Sequence, residues 1–271
     1  MKFIPRQPRE GINVSDVHPL AEAGALIAGL SLIFVVIGLA LLFVVDVVLL
    51  FVSPETEADL FSSWTPDDLV SITADDTRVV ETRELVNRLA THWPDSPYTF
   101  RLEVSDDEDP NAMAFPGGLI IVTTALLDSV ETENELAFVL GHELGHFRNR
   151  DHIRTLGRSV VLGIFFSTLN ASEGSVSLGF TISDLTLRRF SRDQESNADS
   201  FGLQIVNAEY GHVDESWRFF SRMIEDDHAT SGLFSYLSTH PATDDRIEEL
   251  KSYARTRGWP LMGPVSDLRW K

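Results

Sequence analysis

The sequence feature that most constrains this fold is an uncharged apolar segment near the N-terminus. Such a segment must be surrounded either by lipid or by the core of the protein. No charged residue lies between Gly24 and Val45, and the apolar run resumes after Asp46 through Val52. A helix needs about 20 residues to cross the hydrocarbon core of a bilayer, so this segment can span it with some tilt. A buried helix of a soluble protein is the alternative, but this length would be unusual for one. We predict a transmembrane helix over residues 24–52.

The charges that flank this segment predict its orientation. Lys2, Arg6 and Arg9 precede it, whereas the next basic residue after it is Arg78. Because the positively charged flank of a span stays on the cytoplasmic side, we expect residues 1–23 to form a cytoplasmic segment and the bulk of the chain to be exported. The opposite orientation would place that bulk on the cytoplasmic face. A cleaved signal peptide fits less well, since its apolar region would run only about 7–15 residues.

Composition narrows the class of function. The formal net charge is -19 and the pI is about 4.7. Such an acidic surface repels phosphate backbones, so we expect no nucleic-acid partner. The chain has no cysteine. Disulfide frameworks, thiolate catalysis and cysteine-based zinc fingers are therefore excluded, and any metal must be held by His, Asp or Glu.

Beyond the apolar segment, residues 54–271 are predicted to form one α+β domain. A polar helix is expected from Asp76 to about His92, and the alternation from Tyr98 to Val104 is typical of a strand. A β-hairpin is predicted over residues 112–122, with its turn at a Pro-Gly-Gly sequence. The pattern is mainly helical from Thr132 onward, with a Gly- and Ser-rich interruption over residues 167–179.

The sequence His-Glu-Leu-Gly-His over residues 142–146 carries the strongest chemical signal. It is predicted to lie within a helix, because Thr132 and Glu135 form a capping-box pattern ahead of an apolar face. His142 and His146 are four residues apart, so both imidazoles project from one face of that helix and can bind one Zn²⁺. Glu143, next to the first histidine, can hold and deprotonate a water molecule at that ion.

A catalytic zinc site needs a third protein ligand, and two residues compete for that role. His152 follows His146 by six residues, a spacing that occurs in one class of zinc peptidase. Glu195 lies on another predicted helix, with Asp199 four residues later. One of these two carboxylates could bind zinc while the other orients a histidine ligand.

Four separated motifs resemble the HtpX and CAAX prenyl protease type of zinc metallopeptidase. The resemblance runs from about Tyr98 to Leu250 and keeps the motif order. The motifs are Asn111-Ala112 with Pro116-Gly117-Gly118, the His142–His146 sequence with Asp151, Ser191–Glu195 with Ala198-Asp199, and Thr239-His240-Pro241 with Arg246. Family membership implies a mainly helical α+β zincin-type domain with a small β-hairpin, preceded here by one transmembrane helix.

The resemblance also implies roles for residues outside the helix motif. Glu195 would be the third zinc ligand, which would leave His152 as an ordinary residue on a helix surface. Asp199 would orient a zinc-bound histidine, and His240 would lie near the metal and donate a hydrogen bond to the oxyanion. From the residues alone, the preferred interpretation of His240 is a loop histidine before Pro241.

Two further assignments come from the same resemblance. The Asn111-Ala112 strand would present its backbone edge to an extended substrate, and Arg246 would form a structural or transition-state ion pair. Met113 and Phe115 depart from the usual residues of that strand, which affects the shape of the substrate subsites and not the chemistry.

We therefore expect a membrane-anchored zinc endopeptidase that uses one zinc ion and acts on proteins or peptides. A role in protein quality control at the membrane or cell envelope is expected. The alternative is a membrane-tethered chaperone or adaptor in which zinc is structural. The glutamate of the motif argues against that alternative, because a structural zinc site has no use for an unligated carboxylate beside it.

Overall fold

The computed structural model describes residues 18–64, 76–169, 190–230, 240 and 243–271. Within those ranges the chain is mainly helical and has one small sheet, as the sequence predicts. The elements, in chain order, are α1 (Pro19–Leu49), α2 (Pro54–Phe61), α3 (Thr77–Ala90), β1 (Arg101–Ser105), β2 (Ala112–Phe115), β3 (Leu119–Thr123), α4 (Thr124–Ser129), α5 (Glu133–Asn149), α6 (Asp151–Leu169), α7 (Arg192–Tyr210), α8 (Arg218–Thr230) and α9 (Asp244–Arg257).

Helix α1 covers most of the predicted transmembrane segment, but it begins and ends earlier than residues 24–52. Pro19 occupies its first turn, and the imidazole of His18 accepts a hydrogen bond from the Leu20 amide. At the other end α1 stops at Leu49, three residues before the apolar run ends at Val52, and Ser53 then caps α2. Among the described residues, α1 is the one helix long and apolar enough to cross a membrane.

The sheet has the strand order β1-β3-β2, with β1 parallel and β2 antiparallel to β3. The predicted hairpin is therefore present as β2 and β3, and its turn uses Gly117 and Gly118 at φ values of 80° and 79°. Only glycine adopts this backbone region without strain. Strand β1 starts at Arg101, later than predicted, and β2 lies at the edge of this sheet.

Helix α5 passes through the centre of the domain and is buried from Asn134 to Phe147. The Thr132 side chain accepts a hydrogen bond from the Glu135 amide, as a capping box requires. The Glu135 carboxylate instead accepts from the Glu131 amide, so only half of the predicted box forms. Burial on all sides follows from packing against β2, α3 and α7.

Small residues let α5 and α7 cross at close range. A Cβ on Gly145 would lie 2.6 Å from the Ala198 Cα, and a Cβ on Gly141 would lie 3.2 Å from the Gly202 Cα. Since larger side chains would hold the helices apart, these positions bring the two predicted metal-binding motifs together.

Several residues named in the sequence predictions lie outside the described ranges. They are Lys2, Arg6, Arg9, residues 170–179, Thr239 and Pro241.

Candidate active site

Four side chains that could hold a metal ion converge where α5 crosses α7. His142 and His146 come from α5 and Glu195 from the first turn of α7, while His240 lies ahead of α9. One ligand atom from each lies within 4.8 Å of all the others, and all four residues are buried.

The spacing of these atoms suits a small divalent ion. The Nε2 atoms of His142 and His146 are 3.1 Å apart, and they lie 3.6 and 3.5 Å from the two Glu195 carboxylate oxygens. Ligands bound to tetrahedral zinc at about 2.0–2.1 Å are about 3.3 Å from one another. The two imidazole nitrogens and the Glu195 carboxylate therefore stand at separations close to those of ligands in such a site.

His240 is the fourth member of the cluster. Its Nδ1 lies 3.1 Å from His142 Nε2 and 2.9 Å from Glu195 Oε1. The sequence prediction put His240 near the metal as a donor to the oxyanion. In this structure its ring lies among the atoms that could hold a metal.

The buried carboxylate of Glu143 faces the same space. Its side chain is 1% exposed, and neither carboxylate oxygen has a hydrogen-bond partner among the described residues. The nearest histidine nitrogen, His240 Nε2, is 3.8 Å from Glu143 Oε1. A buried carboxylate normally has hydrogen-bond donors, so this one fits a site in which a water molecule supplies them.

Carboxylates behind the cluster orient both histidines of α5. The Nδ1 atoms of His142 and His146 lie 2.9 Å from Asp199 and 3.0 Å from Asp151 respectively. This arrangement turns each Nε2 toward the metal position. The Arg246 guanidinium donates two hydrogen bonds of 2.7 Å to the Asp199 carboxylate and lies 2.8 Å from Glu195 Oε2. Arg246 thus pairs with two acidic groups and holds α9 against α7.

The pKa shifts of the histidines in the site are consistent with a site that binds a cation. Burial lowers the pKa of His142 to about 4, so this imidazole is neutral at pH 7. Burial also lowers the pKa of His146, but hydrogen bonds to Asp151 and Glu195 outweigh it and raise the pKa to about 10. Because a ligand imidazole must be neutral, metal binding would displace a proton from His146.

The two glutamates are tuned in opposite directions. Burial raises the pKa of Glu143, which makes its carboxylate a stronger base than an exposed one. Burial also opposes ionisation of Glu195, yet its electrostatic interactions and hydrogen bonds with the neighbouring histidines hold its pKa well below the usual value. Glu195 is therefore suited to bind a cation, and Glu143 to accept a proton.

The prediction that His152 is a surface residue is wrong. The residue is 4% exposed, and its Nε2 is hydrogen-bonded to Glu57 of α2. Helix α5 ends at Asn149, and the left-handed backbone of Arg150 turns the chain before α6 begins. The His152 ring therefore packs against α2 and lies outside the cluster that could hold a metal.

The edge strand β2 begins at Ala112, and Asn111 directly precedes it. The backbone N–H of Asn111 donates to the Thr123 hydroxyl, and its C=O accepts from the Thr123 amide. Since backbone groups alternate in direction along a strand, those of Ala112 point away from β3, toward the outer edge of the sheet. The Ala112 N–H meanwhile donates to the Asn111 side chain (2.9 Å), so a substrate strand would have to displace that contact.

Two residues near the cluster had no separate role in the sequence predictions. Asp151 appeared only as part of a motif, although its carboxylate orients His146 and also accepts from Gln194 (2.7 Å). Phe190 stacks on the His146 ring at a centroid distance of 4.1 Å. No local pattern marks Phe190, because it lies 44 residues from His146 in the sequence.

Known proteins were compared with the chain. The model of peptidase family M48 matches residues 77–254, which is more than half of the chain. The mitochondrial metalloendopeptidase OMA1 of Bos taurus is 31% identical over 227 residues, covering 74% of this chain and 43% of that protein. OMA1 of Schizosaccharomyces pombe is 24% identical, covering 65% and 56% respectively.

A bacterial protease whose name differs from that of OMA1 also matches the chain. The beta-barrel assembly-enhancing protease of Yersinia pestis is 25% identical over 182 residues, which is 63% of this chain and 37% of that protein. The chain thus spans about half the length, or less, of these curated relatives. The family match includes the whole of α5 and α7, on which three of the four clustered residues lie, and the chain belongs to peptidase family M48.

Proposed function

We propose that this protein is a zinc-dependent endopeptidase. The observation that carries the proposal is the set of His142, His146 and Glu195 around one point, with the buried carboxylate of Glu143 beside it. Two imidazoles and one carboxylate are a common ligand set of catalytic zinc, and softer thiolate ligands are absent from the chain. The metalloendopeptidase names of the OMA1 relatives support the same reaction.

The chain's own groups would perform the proton transfers. A bound zinc ion would supply Lewis acidity, which lowers the pKa of water and polarises a carbonyl group. Glu143 would take a proton from the attacking water and pass it to the leaving amine as the peptide bond breaks. Asp151 and Asp199 would keep His146 and His142 in the tautomer that binds a cation through Nε2.

His240 would have two positions in this scheme. Where it stands here, its Nδ1 lies among the ligand atoms, 3.1 Å from His142 Nε2 and 2.9 Å from Glu195 Oε1. During hydrolysis the imidazole would move aside to make room for the substrate. From a displaced position close to Glu143, it would donate a hydrogen bond to the oxyanion that forms on the substrate carbonyl.

The substrate would bind as an added strand on β2. The outward backbone groups of Ala112 would pair with it once the Asn111 side chain releases the Ala112 amide. The Arg246 guanidinium bonds Asp199 and Glu195 behind the metal position, so we assign it to positioning these two carboxylates.

We further propose that residues 24–52 anchor the catalytic domain, residues 54–271, to a membrane. The charges near the N-terminus favour a cytoplasmic start for residues 1–23 and an exported domain. The protease name of the Yersinia pestis relative refers to the assembly of β-barrel proteins. This supports proteins of the cell envelope as substrates, with quality control as the role.

Zinc-dependent cleavage by the purified full chain tests the proposal. A fluorogenic peptide or casein should be cleaved, cleavage should stop in the presence of a chelator, and zinc should restore it. Binding of unfolded protein without cleavage, in a preparation that contains stoichiometric zinc, would favour the chaperone alternative and refute the proposal.

The orientation has its own test. The chain has no cysteine, so a cysteine introduced at Glu55 is the single thiol. Labelling of that thiol by an impermeant reagent in intact cells is expected for an exported domain. Labelling only after lysis would reverse the orientation.

A further inference from the structure

A buried charged cluster joins the membrane helix to the helix that carries two of the metal ligands, and the proposed chemistry does not use it. Arg150 follows α5, and its Nη1 donates to the carbonyl oxygens of Leu49 (3.1 Å) and Val52 (2.7 Å). These carbonyls belong to the end of α1 and the turn after it. The Arg150 Nε donates to Glu57 of α2 at 3.0 Å.

Glu57 is held from its other side by His152, and both of these side chains are fully buried. Burial raises the pKa of Glu57, but the hydrogen bonds and charges of His152 and Arg150 outweigh it and hold the pKa below the usual 4.5. Removal of one partner would leave a buried charge without compensation. The cluster is therefore a firm junction between α1, α2 and α5.

The backbone of Arg150 indicates that its side chain is needed at this position. Arg150 has φ 57° and ψ 34°, in the left-handed region that favours glycine. Helices α7 and α9 of the same chain end on glycine in this conformation, at Gly211 and Gly258. An arginine here carries backbone strain that glycine would avoid. The contacts of its guanidinium offer a reason for it.

A second contact holds α1 against α6. Asp46, the one charged residue in the apolar run, lies 3.2 Å from Arg154 Nε and 2.8 Å from Arg158 Nη2. Between these arginines, Gly157 lies so close to α1 that a Cβ on it would be 2.8 Å from Val45 Cγ1. The membrane helix is thus fastened to the domain at two neighbouring places.

The junction lies close to the metal position. Arg150 is one turn beyond His146, and the next residue, Asp151, accepts a hydrogen bond from His146 Nδ1. We propose that Arg150 is a positioning residue, which fastens the metal-ligand helix to the end of the membrane helix so that anchor and metal site move as one body. The inference rests on the proposed function, since it concerns the geometry of the same site.

Substitution of Arg150 by glycine distinguishes the two roles of this residue. The side chain fastens α5 to α1, whereas the left-handed backbone ends α5. Arg150→Gly suits the left-handed backbone and so keeps the direction of Asp151, while it removes the side chain that carries the guanidinium. In the full chain in phosphatidylcholine vesicles we expect kcat on a soluble peptide to fall at least about tenfold, with KM within about twofold and zinc content unchanged. Glu215→Gly is the matched control and should leave kcat unchanged. Among the described residues, Arg150 and Glu215 are the two non-glycine residues with a left-handed backbone.

A reversible cross-link then tests the coupling directly. Val45→Cys with Gly157→Cys places two thiols where α1 meets α6, in a chain with no other cysteine. Added to Arg150→Gly, the pair should restore kcat when diamide forms the disulfide, and reduction by a phosphine should reverse the gain.

Parental kcat in Arg150→Gly would overturn the inference, and so would a loss of kcat that the disulfide does not restore. Should the glycine variant fail to fold, parental kcat in Arg150→Lys, which loses the planar fork, would overturn it as well. An inactive parental protein would count against the proposed function instead.

Discussion

Replacing Gly145 by alanine should pull apart the two helices that carry the metal ligands. The new Cβ would lie 2.6 Å from the Ala198 Cα and 2.8 Å from the Ala198 carbonyl oxygen, both of which are backbone atoms. Carbon atoms in contact prefer separations of about 3.5–4.0 Å, so α7 would have to recede by about 1 Å. Glu195 lies less than one turn before Ala198 and would move with it.

A displacement of this size should strongly weaken metal binding and catalysis, but it should cost the fold little stability. Metal–ligand distances vary by only about 0.2 Å, and a 1 Å misplacement costs about 100-fold in rate, or about 2.7 kcal/mol. Overpacking costs about 1–3 kcal/mol in stability, of which the better helix propensity of alanine offsets about 1 kcal/mol. Gly145→Ala should therefore fold, yet lose zinc affinity and about 100-fold in kcat/KM.

Gly141→Ala is the matched control in the same helix. Its Cβ would lie 3.2 Å from the Gly202 Cα, so the helices need to give by only a few tenths of an ångström. Competition with a chromogenic chelator measures zinc affinity, and a fluorogenic peptide measures kcat/KM. Equal values for Gly145→Ala and Gly141→Ala would refute the reasoning that the close crossing positions Glu195.

Three further predictions address the metal, its support and the junction with the anchor. Chelation should lower Tm, and zinc at 100 times its Kd should add about 2.7 kcal/mol of stability by calorimetry; an unchanged Tm would argue against a metal-binding native state. Asp199→Asn should weaken zinc binding by about 10–100-fold in chelator competition, because the amide cannot hold His142 Nδ1–H as a carboxylate does; parental affinity would contradict this. Glu57 stabilises the fold above its unfolded pKa of about 4.5, and this contribution is lost as the pH falls through its lowered folded pKa. The Tm of the parental protein should therefore fall more steeply below about pH 4.5 than that of Glu57→Gln, and parallel curves would contradict the assignment.

The parts of the fold that sequence predicts best are those fixed by local patterns. The cap at Thr132 and the four-residue spacing of His142 and His146 are properties of one helix, and the structure has both. The hairpin follows from glycines that permit its turn, and α1 from a long apolar run with one charged residue, Asp46. The small residues of α5 and α7 recur at four-residue intervals, which is a signal of close helix packing that the predictions did not use.

The remainder depends on contacts between residues far apart in the chain. His152 is buried because α2 brings Glu57 to it across 95 residues, and no local pattern near His152 indicates that contact. The bond between Arg246 and Asp199 likewise spans 47 residues. Motif resemblance named Glu195 and Arg246, but only the crossing of helices gives their distances.

The central claim is that Glu143 acts as the base beside a zinc ion held by His142, His146 and Glu195. Glu143→Gln tests it most directly, because glutamine keeps the size of the side chain and cannot accept the proton. Zinc content by elemental analysis and turnover of a fluorogenic peptide should be measured on the same preparation. The account predicts one zinc per chain, as in the parental protein, with nearly all turnover lost. Full turnover in Glu143→Gln would contradict it.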